Sequence, residues 1–433
     1  MYTDKALELF DYTVNIRRMI HENPELSSEE EETVKLVCDE LDKAGIEYVN
    51  VNKGGVLGFI EGNKESHNPK TILLRADLDA LPFDEPDENL AGPREVKSKN
   101  KGAMHACGHD GHTAMLLTVG KILNEARDDF AGKVILCFER GEENGMNYRF
   151  IMAYIDQHDI EIDASYAIHV SPEYESGVMA IKGGNVNAGG IIFDVTIKGK
   201  AGHGARPYLA NNPLDCFMDI YKGMDTIRMK KISPFEPFTY SIGAVEMGSQ
   251  YNQIPEKLRF KGSARFFDRA NVGYVFHNEF KNLIINKAKA NNCRVVFNLF
   301  TKPHFPIINH EAMAKLAMDV IGDENGKDFV IEADPSMGSD SFSIYTAQWP
   351  GLYLMLGIAN KDKGSGAALH SEKFDLDEDA LKYGVSATCR FVTEFLNSDL
   401  VIEDGPFKGN LEGLFREENR SRDEIESIYE TIK

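Results

Sequence analysis

The chain has 433 residues, with 48 Lys and Arg against 69 Asp and Glu, a formal net charge of −21. At roughly 100–200 residues per domain this length makes two or three domains, and the acidic balance excludes a surface built to cover nucleic-acid phosphate or an anionic membrane face. No apolar run approaches the ~18–20 residues of a membrane span, and the opening MYTDKALELFDYTVNIRRM lacks the basic stretch and apolar core of a secretion signal, so a cytoplasmic enzyme is the expectation.

Residues 1–46 read as two helices. Leu9, Tyr12, Ile16, Met19 and Ile20 keep helical spacing, HENPELSSEEEET interrupts it, and Val34, Val37, Cys38 and Leu41 resume it. Ser27 or Ser28 is the expected cap of the second helix, with Glu29–Glu32 in a solvated first turn where the helix dipole favours negative charge. TILLRADLDAL (71–81), KVILCFE (133–139) and SYAIHV (165–170) read as buried strands, separated by helical stretches at 109–129 and around 146–158. That alternation predicts an α/β fold with a mostly parallel sheet. Ligands of such sheets gather at the carboxyl ends of the strands, where Asp77, Asp79, Glu142, Glu143 and His169 fall.

From about 183 the glycine-rich GGNVNAGG breaks this pattern. IIFDVTIKGK, a helix at 213–229, FTYSIGAVEMG, KLRFKGSARFF, a helix at 270–290 and RVVFNLF follow, the strand and helix order of a ferredoxin-like split βαβ unit. The α/β texture returns with GLYLMLGI (351–358) and a long helix at 377–396, and the polar stretch from about 400 reads as a peripheral helix. The expected organisation is a domain from 1–182 and 300–433, interrupted by an inserted α+β domain at 183–299. The six cysteines lack paired spacing and read as small buried hydrophobes, except Cys107, which sits among His105, His109, Asp110 and His112.

Cys107-Gly108-His109 sets a thiolate donor and an imidazole donor two residues apart, just before a helix whose N-terminus favours the thiolate. Glu142-Glu143 follow a buried strand, so one carboxylate can face a metal and its neighbour the water on it. His169 ends an apolar strand, His370 follows a glycine-rich segment in GSGAALHSEKFD, and Asp79 in RADLDALP can orient a histidine. Each has an ordinary reading alone, as a buried Cys–His neighbour pair, exposed loop charge or a satisfied core histidine. Together Cys107, His109, Glu143, His169 and His370 supply the donors for two metal ions sharing a bridging ligand.

These segments resemble the M20 metallopeptidase family, in particular its amidohydrolase branch of hippurate, auxin-conjugate, N-acetyldiaminopimelate and aminobenzoyl-glutamate hydrolases. RRMIHENPELSSEEEET (17–33), RADLDALP (75–82), GAMHACGHDGHTAML (102–116), AIHV, GKAGHGARP (199–207), YNQIP (251–255), GSDSFS (338–343) and ALHSEKFD (368–375) follow the family's order almost end to end. The resemblance implies two divalent ions (Zn, Mn or Co), with Cys107 bridging and His109, Glu143, His169 and His370 completing the sites. It makes Glu142 the general base and Asp79 a residue that orients a ligand. His203, from the inserted domain, would stabilise the oxyanion, while Asn252 and Arg265 would hold a substrate carboxylate. It further implies an N-acyl amino acid or small peptide-like substrate, and a homodimer formed through the inserted lid domain. His105 and His112 belong to the motif as structural residues.

The sequence departs from the family in three places. Glu139-Arg140-Gly141 stands where Gln-Pro-Ala is usual, EENGMNYRF replaces the glycine-rich run that normally follows the glutamate pair, and GSDSFS replaces the commoner Gly-Ser-Glu-Asp-Phe. None removes a ligand or the base, and Glu139 and Arg140 are placed to pair with each other. The alternatives are a dipeptidase or carboxypeptidase of the same family, or a catalytically silent ligand-binding member.

Overall fold

The computed structural model describes residues 2–144, 146–402 and 405–432. It opens with three helices rather than two, α1 (Tyr2–Glu8), α2 (Phe10–Glu22) and α3 (Glu31–Ala44). The break between the first two is a single irregular residue, Leu9, through which the helical hydrogen bonding continues from Lys5 to Thr13. Neither Ser27 nor Ser28 caps α3. Glu25 does so instead, accepting from the backbone N–H groups of Glu32 (3.1 Å) and Thr33 (2.8 Å). Glu30, expected in a solvated turn, is fully buried because it holds the guanidinium of Arg140 at 2.8 Å.

After α3 come β1 (Glu47–Val51), β2 (Gly55–Glu61), β3 (Thr71–Asp77), α4 (His109–Glu125), β4 (Lys133–Glu139), α5 (Tyr148–Gln157), β5 (Ala164–Glu175), β6 (Met179–Ile181) and β7 (Gly184–Asn187). The inserted segment runs through β8 (Gly189–Lys198), β9 (Gly202–His203), α6 (Pro213–Lys231), β10 (Phe238–Met247), β11 (Gln253–Ile254), β12 (Lys257–Phe266), α7 (Tyr274–Ala290) and β13 (Arg294–Phe300). The chain returns by β14 (Ile307–Asn309), α8 (Glu311–Asn325), β15 (Val330–Glu332), α9 (Phe342–Gln348), β16 (Gly351–Ala359), α10 (Leu381–Asn397), α11 (Leu411–Glu417) and α12 (Arg422–Thr431).

Among the described residues ten strands build the large sheet, in the order β1-β2-β4-β3-β5-β16-β14-β7, with β6 joining β15 to β16. Neighbours from β4 through β14 run parallel, while β1, β2 and β7 are antiparallel additions at the edges. Both faces are covered, which is why the central strands read as continuous apolar runs. On β3, Ile72 and Leu74 join the core beneath α4 and α10, whereas Leu73 joins the opposite core with α5 and α9, as the two-residue period of a strand requires.

The second sheet has the order β10-β12-β8-β13, all antiparallel, and α6 and α7 cover one face. Ile191, Phe193, Val195 and Ile197 of β8 alternate into that core with Phe260, Phe276 and Phe280. This strand order is that of the split βαβ unit. Its chain leaves from β7 and returns at β14, which are antiparallel neighbours with Asn187 facing Ile307.

The C-terminal stretch is more than one peripheral helix. Leu411, Leu414, Phe415, Ile425 and Ile428 are buried in the core shared with α5. Glu417 takes a hydrogen bond from Arg269 at 2.6 Å, and Glu418 faces His304 at 2.6 Å, so these helices also bind the segment entering α7 and the one returning to β14.

Candidate metal centre

The parallel strands end on one edge of the large sheet and deliver their polar residues there. The turn after β3 carries Asp79, which organises its surroundings with both oxygens. Oδ1 meets His109 Nδ1 at 3.2 Å and accepts from the backbone N–H of Glu142 at 3.1 Å. Oδ2 accepts from the N–H of Glu143 at 3.0 Å and from the Ser27 hydroxyl at 2.5 Å. One buried carboxylate thus aims a histidine and fixes the turn bearing both glutamates. Burial opposes its charge, but His109 and its other donors hold Asp79 below the usual carboxylate range.

Gly108 separates Cys107 from His109 and starts α4 with φ at 84°. A side chain there would be strained, and its Cβ would stand 2.3 Å from Val170 Cγ2. Cys107 Sγ lies 3.6 Å from His169 Nε2. The other ring nitrogen of His169 bonds the Val170 carbonyl at 2.7 Å, which leaves Nε2 turned toward the thiol. Burial lowers the His169 pKa to about 3, keeping the ring neutral as a ligand must be. Burial also pushes the Cys107 thiol up, against the pull of His109. The helix start alone therefore does not make the thiolate expected from sequence, and an adjacent cation would be needed.

His370 Nε2 stands 3.1 Å from Glu143 Oε1. Its backbone is in the left-handed region at φ 60°, and its N–H donates to the Ala106 carbonyl at 2.9 Å, so it is tied to the cysteine loop despite being exposed. Glu142 is half-buried, and its Oε1 accepts from the backbone N–H of Ser341 at 2.8 Å. Burial and the nearby Asp340 hold the Glu142 carboxyl well above its usual range, against Arg75 and His109.

Three sets of donor atoms lie within 4.8 Å of one another and include every predicted ligand: Cys107 with His109 and His169, Cys107 with Glu143 and His370, and His109 with Glu142 and Glu143. His109 Nε2 is buried without a hydrogen-bond partner in the described structure, Asp79 engaging only Nδ1 and Asp77 Oδ2 standing 3.6 Å from Nε2. An orphaned imidazole nitrogen beside a thiol, two carboxylates and two further imidazoles fits a pair of divalent cations. Cys107, His109 and Glu143 each belong to two of these sets, so the sets overlap in one cluster.

A fourth set joins His109 to Asp77 and His112, two residues that the sequence reading does not count among the ligands. His112 uses both ring nitrogens inside the protein, toward Asp77 at 2.6 Å and from the Val170 N–H at 2.9 Å, which suits a structural residue. Asp77 sits two residues before Asp79, and strand periodicity alone would have placed both carboxylates on one face.

The inserted domain carries the remaining predicted residues apart from this cluster. His203 is exposed on β9, where it pairs with Gln253 and its Nδ1 accepts from the Ala205 N–H at 3.0 Å. Asn252 is its neighbour, the Asn252 carbonyl accepting from Gly204 at 2.9 Å. Arg265 on β12 is half-buried and reaches across to the large domain, donating to the Ser339 hydroxyl at 2.7 Å. The expected Glu139–Arg140 pair is absent. Glu139 turns into the sheet to Arg75 at 3.1 Å, while Arg140 turns outward to Glu30 and Glu31, because consecutive strand-end residues point to opposite faces.

The sequence profile described as Peptidase family M20/M25/M40 matches residues 73–394. IAA-amino acid hydrolase ILR1-like 2 of Arabidopsis thaliana is 34% identical over 418 residues, covering 95% of this chain and 90% of that protein. Thermostable carboxypeptidase 2 of Saccharolobus solfataricus is 35% identical, covering 90% of this chain and 97% of that one. Among solved structures, a dinuclear metal-binding peptidase of family M20 from Bacillus subtilis superposes with a TM-score of 0.74 at 26% identity, over 90% of this chain and 99% of that one.

Proposed function

The chain belongs to peptidase family M20/M25/M40, in its amidohydrolase branch, and from that premise we propose that it is a two-metal amidohydrolase of N-acyl amino acids or small peptide-like conjugates. The observation that carries this reading is the orphaned His109 Nε2 at the centre of overlapping donor sets. Cys107, His109, Glu143, His169 and His370 would hold the two ions. Bound Zn, Mn or Co would supply Lewis-acid polarisation of the scissile carbonyl and a more acidic water.

Glu142 is the base. It takes the proton of the attacking water and later delivers it to the leaving amine, while Asp79 keeps the turn and the His109 ring in place. His203 donates to the oxyanion of the tetrahedral intermediate once the lid closes, and Asn252 and Arg265 grip the substrate carboxylate. Residues 1–182 with 300–433 form the catalytic domain, and 183–299 the lid. The lid is also the surface of a homodimer. Leu214, Met218 and Tyr221 form an exposed apolar row on α6, and the β10 and β13 edges of its sheet are open. No helix among the described residues is long and apolar enough to cross a membrane, and we assign the protein to the cytoplasm.

The test is a panel of N-acetyl and N-benzoyl amino acids assayed with each metal. Glu142→Gln should lower kcat about 10²- to 10⁴-fold with metal content retained, and full activity in that variant would overturn the assignment. The carboxypeptidase relative supports a second reading, cleavage of peptides with a free α-amine. Dipeptides in the same panel, cut faster than their N-acyl analogues, would select it.

A further inference from the structure

Two of the departures from the family's usual segments, at Glu139 and at Ser341, meet at one point of the fold. Arg75, on β3 and almost wholly buried, donates through Nε to Glu139 Oε2 at 3.1 Å, through Nη1 to Asp77 at 2.6 Å, and through Nη2 to the Ser341 hydroxyl at 2.8 Å. Asp340 stands 3.5 Å from Nη1 and is itself held by the Tyr353 hydroxyl at 2.8 Å. The Ser341 hydroxyl passes its proton's hydrogen bond to Glu139 Oε1 at 2.7 Å. The backbone N–H of the same residue donates to Glu142 Oε1 at 2.8 Å.

Ser341 is therefore engaged three ways, giving one hydrogen bond from its hydroxyl, taking one from Arg75 and giving one from its backbone. It cannot shift without breaking all three. The oxygen of Glu142 that it holds is fixed relative to β3 and β4, although Glu142 itself lies on a turn.

We propose that Arg75, Glu139 and Ser341 form a positioning unit for Glu142, fixing Oε1 and leaving Oε2 for proton transfer. The proposal rests on Glu142 being the base. Its particular content is a coupling between positions 139 and 341, where one carboxylate faces one hydroxyl across a hydrogen bond beside a single guanidinium. The site as it stands has one acid across that bond, with a neutral hydroxyl opposite it. Two acids facing each other there would have to share a proton, in a pocket that already holds Asp77 and Asp340, and would displace the hydrogen bonds that now fix Ser341.

The experiment is a double-mutant cycle of E139Q, S341D and E139Q/S341D in the metal-loaded protein, with the best substrate of the panel. S341D places two buried acids in contact and should lower kcat about 100-fold, the cost of a base displaced by about an ångström. E139Q weakens the hold on Ser341 and should cost about 10-fold. In the double variant the amide at 139 donates to the carboxylate at 341, and kcat should return to within about 10-fold of wild type, far above the product of the single losses. KM, bound metal per chain and melting temperature of the double variant should match wild type, since the unit acts on Glu142 and not on binding. Losses that multiply, or that appear in KM or metal content with kcat unchanged, would overturn the coupling. A wild-type protein inactive on the whole panel would instead overturn the proposed activity, and full activity in Glu142→Gln would overturn the reading of Glu142 as a base on which the positioning unit rests.

Discussion

Arg265→Leu separates recognition of the substrate from its chemistry. Arg265 is half-buried, its Nη1 bonds the neutral Ser339 hydroxyl, and among the described residues no carboxylate pairs with it. Burial alone acts on its pKa and lowers it, the signature of a cation partly withdrawn from water without a counter-ion. A hydrogen bond to a charged partner contributes about 1.5–3 kcal/mol, which at 1.4 kcal/mol per tenfold is about 10- to 150-fold in kcat/KM. The assay compares N-benzoylglycine with its amide, N-benzoylglycinamide, in both proteins. Wild type should favour the acid by this factor, and R265L should treat the two alike with an unchanged rate on the amide. Removing an uncompensated cation should leave the melting temperature level or slightly raised. A variant that keeps its preference for the free acid would refute the reasoning, and so would one that loses both substrates equally.

The shared-ligand role proposed for Cys107 predicts a thermal response. Adding metal at a hundred times its dissociation constant stabilises a folded protein by about 2.7 kcal/mol, and C107A should show less than half of that gain at the same concentration. An equal gain would remove Cys107 from the site. A separate prediction concerns pH. His21 Nε2 meets Glu85 at 3.0 Å in full burial. Burial opposes charge on Glu85, but His21 outweighs it and holds the carboxyl below its usual value. For His21, burial and Arg17 oppose charge, while Asp110 and Glu85 outweigh them and raise it. The contribution of Glu85 is complete above the unfolded carboxyl value and lost as pH falls. That of His21 is complete below the unfolded imidazole value and lost as pH rises past the raised one. E85Q should therefore cost about 3–5 kcal/mol between about pH 4.3 and 6.5, measured by urea unfolding. A deficit that does not shrink toward about pH 2 would refute it.

What could be read in the sequence was what depends on local pattern. Ile72, Leu73 and Leu74 mark a strand because all three are apolar, and both faces of that strand are in fact covered. Cys107-Gly108-His109 marks a site because two donors flank a residue that must lack a side chain. What depends on distant partners was hidden. Glu30 looks like solvated helix charge until Arg140 arrives from the end of β4. The cap of α3 comes from Glu25 because Ser27 is drawn away to Asp79. The C-terminal helices read as polar because their few apolar residues, Leu411, Leu414 and Phe415, face a core built elsewhere. Of the candidate site, the residue types that cluster were legible, while the Arg75–Glu139–Ser341 contacts were not, since they join residues from three distant parts of the chain.

The pairing of β7 with β14 has a consequence for how the chain is assembled. Asn187 and Ile307 face each other across one antiparallel pair, so the whole insertion is, in polymer terms, the loop of a hairpin. Its ends are held at strand spacing by the sheet itself, and the entropic cost of closing such a loop grows only logarithmically with its length. The large sheet is thus indifferent to how much protein hangs from that turn. A hydrolase with a longer, shorter or wholly different lid would keep the same register between these two strands, and specificity could be rebuilt in the insertion without disturbing the residues that perform the cleavage.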